Sequence, residues 1–191
     1  MEKTANKRLV FIDTETGGVI PEKHSLLSIG LVIWDADQGI IGKQEYFIKS
    51  ARYVVTQEAK RINKFKRLHH NMIAEDAASV INKMIDYCQS FFPDNIAIPL
   101  AGHNIQFDVG FLKVLFKKNN RSFGQYFSHR MIDTYSVYKT IVLSGVIEEN
   151  IDSSANAFSY FNIRVDERHD ALSDCIATVE LYEKLIRLIQ K

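Results

Sequence analysis

Only two cysteines, three prolines and a net charge of +1 are found in these 191 residues. Cys88 and Cys175 are too far apart for a C-x-x-C pair, and each falls in a stretch of helical pattern. A reduced, cytoplasmic protein without structural zinc is therefore expected. None of the prolines sits in a linker-like stretch, which argues for one domain over residues 1–191. The near-zero charge excludes bulk attraction to a polyanion, so a nucleic-acid partner has to be served by local positive patches. No run approaches the roughly 20 apolar residues of a membrane span, and the apolar stretch after the basic start is too short for a signal-peptide core. No membrane partner is expected.

What is present suits a folded enzyme-sized domain. With 46% apolar and 25% charged residues, a chain of this length buries roughly 70% of the surface its unfolded form exposes. "LLSIGLVIWD" and "GIIGKQEYFIKS", separated by a short turn, predict an antiparallel hairpin after a first strand that ends near Asp13. Residues 75–92 place apolar side chains at three- and four-residue intervals and predict an amphipathic helix. "IAIPLAGHN" predicts a short strand in which Pro99 marks a beginning or an irregularity. A helix follows over "FDVGFLKVLFKKNN", then a strand at "HRMID", a helix capped by Asp133 or Thr134, and a last helix over about 170–190. Three antiparallel strands followed by alternating helices and strands predict an α/β fold with a mixed five-stranded sheet and helices on both faces.

The first strand carries the chemistry. In "VFIDTETGGV" Asp13 and Glu15 are two apart, so on an extended strand they share a face while Thr14 points the other way. Two carboxylates held close repel, and a hard, oxygen-seeking divalent cation relieves that most directly. Two further acids lie in helices. Asp108, in "HNIQFDVGFL", occupies a first helical turn at the border of the apolar face, and Asp174, in "HDALSDCIAT", sits about one turn into the last helix. His169 precedes that helix and addresses the same region.

"FIDTETGG", "HNIQFDVGFL" and "HDALSDCIATVELY", in this order, resemble the three motifs of the DEDD exonuclease superfamily, in the subgroup with histidine in the third motif (DEDDh). That subgroup includes polymerase proofreading subunits and ribonuclease T. The resemblance covers nearly the whole chain. It implies a ribonuclease-H-like fold and metal-dependent hydrolysis of DNA or RNA from 3′ ends, single-stranded in the first instance, releasing nucleoside 5′-monophosphates. Association with a DNA polymerase is a partner it allows. It further implies that Asp13, Glu15, Asp108 and Asp174 hold two Mg²⁺ or Mn²⁺ ions about 3.5–4 Å apart. Asp13 would bridge them, with Glu15 and Asp174 completing one site and Asp108 serving the other. His169 is then the general base, since imidazole titrates near neutral pH. The competing expectation, a silent nucleic-acid or polymerase-binding module of the same fold, is weakened by the presence of all four acids and the histidine.

For substrate contact, "KRINKFKRLHH" (residues 60–70) carries five Lys or Arg and no acid, and Lys60, Arg61 and Lys64 are its candidates for phosphate contact. The likeness adds Thr14 and Gly17 beside the terminal nucleotide. Phe107 is a candidate base-stacking platform, set against an ordinary core role. His103 is expected to pack, and Asn104 to cap the helix that follows.

Overall fold

The computed structural model describes residues 7–92, 97–147, 153–165 and 169–190. The basic start and Ile96, the first residue of the expected fourth strand, lie outside them. Five strands form one sheet: β1 (Arg8–Thr16), β2 (Leu26–Asp35), β3 (Gly39–Phe47), β4 (Ile98–Gly102) and β5 (Phe127–Asp133), in the order β3-β2-β1-β4-β5. β1 pairs antiparallel with β2 and parallel with β4. The helices are α1 (Gln57–Ile62), α2 (Arg67–Ile73), α3 (Ala77–Gln89), α4 (Gln106–Lys118), α5 (Thr134–Leu143), α6 (Ser154–Tyr160) and α7 (Ala171–Ile189). This is the ribonuclease-H-like α/β arrangement, with the first three strands antiparallel and helices on both faces. The register of β4 on β5 shifts between Ile98 and Leu100, around Pro99, which has no amide hydrogen to give the ladder.

Strand periodicity divides the core. Val10 and Ile12 of β1 join Ile29, Leu31 and Ile33 of β2 under α3 and α4, while Leu9, Phe11, Val32 and Trp34 meet Cys175, Val179 and Tyr182 of α7. All ten residues of β2 are buried, because helices cover both of its faces. A third cluster joins α5, α6 and α7 through Tyr138, Phe158 and Leu181. Cys88 and Cys175 are free and buried. No helix among the described residues is long and apolar enough to cross a membrane.

The fold aims the carboxyl ends of β1, β4 and β5 at one edge. Asp133 closes β5 and caps α5, accepting from Tyr135 N at 3.0 Å. The same Asp133 oxygen accepts from Asn104 N at 2.8 Å. Asn104 takes a left-handed conformation with φ 56° and leaves the N-cap position of α4 to Ile105, whose side chain makes no cap. The expected asparagine cap is thus replaced by a bond from its backbone to the neighbouring strand's end.

Candidate active site

Alternation on β1 carries through to its last residues. Asp13 and Glu15 continue the row of Leu9 and Phe11 toward α7, and Thr14 continues the row of Val10 and Ile12 toward α4. The Thr14 hydroxyl donates to Asp108 Oδ1 at 2.7 Å. Asp108 is only 4% exposed, on the first turn of α4. Burial pushes its carboxyl up to about 7, the Thr14 bond and nearby backbone amides opposing this in part and the charge of Asp133 adding to it. A buried carboxyl held this far from its ordinary range is suited to a cation.

On the other face, Asp170 caps α7 by accepting from Ser173 N at 2.9 Å. His169, just outside the helix, is exposed and left-handed with φ 64°, a conformation that costs a non-glycine residue about 1 kcal/mol or more. Its amide donates to Asp174 Oδ2 at 3.2 Å, so the strained turn is tied to the acid one turn into the helix. Glu15, His169 and Asp174 each bring a ligand atom within 4.8 Å of the other two. Asp13 and Asp108 are not part of that 4.8 Å group, yet both, with Asp174, act on the buried Cys175 thiol and, after burial itself, help to raise its pKa. Oxygen donors from β1, α4 and α7 thus gather at one edge, a set that fits hard divalent cations.

Gly30 makes this approach possible. It pairs with Asp13 across the β1–β2 ladder, and a Cβ there would overlap the Ala171 carbonyl and the Leu172 amide. The first turn of α7 rests on β2 backbone against backbone, which no side-chain rotation can relieve. Gly30→Ala is expected to lift that turn and carry Asp174 and His169 away from Glu15. Turnover should fall by about 100-fold, the usual effect of displacing a catalytic group by an ångström. A steady-state assay at saturating magnesium, alongside a melting curve, checks it; wild-type turnover in a folded variant would exclude the lift.

A groove of about 520 Å³ opens from the carboxylates, lined by Glu15 and His169 at one end and by Asn63, Lys64, Phe65, Lys66 and His69 along its wall. The basic stretch of the sequence forms two short helices, α1 and α2, broken at Lys64, which is left-handed with φ 50°. That break turns Lys64 and Lys66 into the groove, while Lys60 and Arg61 are exposed on α1 and take no part in its lining. Lys66, Asn63 and His69 were not singled out from sequence, because only the break sets which side of the stretch faces inward. Asn63 Nδ2 donates to Thr16 O at 2.8 Å and ties this wall to the end of β1. Gly17 is buried between Ser25, whose carbonyl accepts its amide at 2.7 Å, and Val54, whose carbonyl a Cβ would overlap. Phe107 packs half-buried on the main core, 5.2 Å from Phe111. His103 packs as expected, with Nδ1 3.0 Å from Thr134 Oγ1. Glu45 lies across the groove, its carboxyl raised to about 7 by burial and then by the charge and hydrogen bond of Asp170. Below that pH this wall presents less negative charge to a phosphate.

The exonuclease family model named RNase_T matches residues 10–182. The chain belongs to this exonuclease family, within the DEDD superfamily. It is a nuclease by that membership, and the family implies dependence on divalent metal. Among solved structures, Escherichia coli exonuclease I in complex with a dT13 oligonucleotide superposes with TM-score 0.80 at 17% identity, over 96% of this chain and 43% of that one. A zinc-bound complex of the same enzyme with single-stranded DNA gives TM-score 0.75 at 18% identity, over 97% of this chain and 42% of that one. Cell-death related nuclease 4 gives 0.79 at 12% identity, over 95% of this chain and 64% of that one. The exonuclease thus spans less than half the length of exonuclease I, and at these identities the likeness is one of fold. No curated protein sequence matches it.

Proposed function

We propose that this exonuclease removes nucleotides from the 3′ end of a single strand of DNA or RNA, releasing nucleoside 5′-monophosphates. The observation that carries this is the meeting of Glu15, Asp174 and His169 within 4.8 Å at the head of a groove whose wall carries Lys64 and Lys66. Asp13, Glu15 and Asp174 would hold one divalent cation and Asp13 with Asp108 a second, magnesium or manganese suiting an all-carboxylate donor set. When bound, such a pair stabilises the attacking and leaving oxygens of a phosphoryl displacement.

The chain's own groups supply the rest. The His169 ring stands at the carboxylates, placed to take the proton of the attacking water. The hydrogen bond from its backbone N–H to Asp174 Oδ2 holds the residue in place while the ring itself stays accessible. Lys64 and Lys66 would neutralise phosphates of the strand lying in the groove, and Phe65 offers a ring beside them.

Incubating an end-labelled single strand with magnesium, and again with chelator, tests the reading. Stepwise release of labelled mononucleotide only with magnesium, and only from a free 3′ end, is expected. Cutting of a circular strand, or release from the 5′ end, would overturn it. His169→Ala is expected to slow the chemical step by about 100-fold or more and to leave magnesium binding, followed by calorimetry, near wild type. A wild-type rate across the pH range would remove His169 from the role of base.

A further inference from the structure

The exposed side of α4 lies across the sheet from α7, outside the groove just described. Three cavities run together along it. The first, of about 270 Å³, shares Pro21, Val114 and Lys118 with a second of about 580 Å³, which shares Lys113 and Lys117 with a third of about 410 Å³. Their lining is one-sided in charge. Lys23, Lys49, Arg52 and Lys118 face the first, Lys113 and Lys117 the second and third, and Arg121 the far end, with Glu22 the only carboxylate along the whole length.

Several described cations elsewhere are neutralised in pairs, such as Lys7 with Asp37, Arg8 with Asp35, Lys83 with Glu75 and Lys184 with Glu180, whereas the cations of the α1–α2 stretch, like those of the track, are not. None of the seven cations of this track makes an ion pair among the described residues. Because the whole chain carries only +1, their concentration here leaves the remaining surface net negative. Such asymmetry fixes where a polyanion settles. Lys113 and Lys117 stand one helical turn apart on a helix of 13 residues, and a helix of that length extends for about 20 Å. The near end of the track adjoins the catalytic edge: Ser25 and Val54, which line it, are the residues that enclose Gly17 just after Glu15 and Thr16.

We infer that this track is a second nucleic-acid contact, holding the phosphodiester backbone of the substrate strand beyond the nucleotides in the catalytic groove. The inference rests on the exonuclease reading above for the identity of the strand. It assigns the α4 lysines a role in retaining long substrates and none in the chemical step.

The test is strand binding in chelator, where nothing is cut, using the double variant Lys113→Glu/Lys117→Glu. A strand of roughly 25 nucleotides reaches both contacts, whereas one of roughly five fills only the groove. The variant is expected to bind the long strand about tenfold or more weakly at low salt. Its plot of log affinity against log salt should flatten by about 1.4, the counterions of two phosphates. Affinity for the short strand, its turnover with magnesium and the melting temperature should stay at wild type. An unchanged affinity for the long strand, or an equal loss on both lengths, would overturn the inference. Should the wild type release no mononucleotide, the exonuclease reading falls, yet the binding comparison still decides the track.

Discussion

Asp174→Asn, and equally Asp13→Asn, is expected to lower mononucleotide release by about a thousandfold or more. The substitution keeps the shape of the side chain and removes its charge. At position 174 the amide oxygen can still accept from His169 N, as the carboxylate does at 3.2 Å. The helix also keeps the bond from Thr178 Oγ1 to the carbonyl of residue 174 at 2.9 Å. The fold should therefore survive while the ability to hold a cation against Glu15 is lost. The check is turnover at saturating magnesium, magnesium binding by calorimetry, and a melting curve in chelator. Turnover within about tenfold of wild type would mean that Asp174 is not a ligand and that the carboxylate cluster is a structural accident.

Asp108→Asn is expected to separate stability from activity. Burial raises the Asp108 carboxyl from its ordinary 3.8 to about 7, so in the metal-free protein the folded state holds a proton that the unfolded chain has already lost. Between those two values the folded state binds more protons, and the stability contributed by this group is full below the unfolded pKa and lost as pH rises through the folded one. Asparagine does not titrate. In chelator, the melting temperature of the variant relative to wild type should rise by several degrees between pH 4 and pH 8, corresponding to about 1–3 kcal/mol. The Thr14 hydroxyl, 2.7 Å from Oδ1, keeps an acceptor in the amide oxygen. With magnesium the order reverses. Wild type would be stabilised by both cations and the variant chiefly by the one that Asp13, Glu15 and Asp174 would hold, and the concentration needed for half-maximal rate should increase by about tenfold or more. A melting difference that is flat with pH would show that the buried carboxyl is not under the strain its surroundings imply.

The two predictions draw on different parts of the protein's information. Asp13 and Glu15 were legible as a pair because a strand's period of two places them on one face whatever surrounds the strand. The apolar stripes of α3 and α7 follow from equally local rules, and the structure keeps them. The cap expected at Asn104 failed because the end of β5, distant in sequence, offers its amide a carboxylate. Lys60 and Arg61 were as basic as Lys64 and Lys66, and only a left-handed turn at Lys64 decides which pair faces the groove.

By itself, then, the sequence determined the carboxylates, the histidine beside the last helix, the strands and helices that carry them and the family they resemble, since periodicity and short motifs are properties of neighbouring residues. Only the tertiary structure decided that Gly30 lets α7 lie on the sheet, that Asp108 is buried against Thr14, and that the α4 lysines form one unpaired track. Each of those depends on contacts between residues far apart along the chain, and burial, close approach and the field of many charges do not exist until the chain has closed on itself.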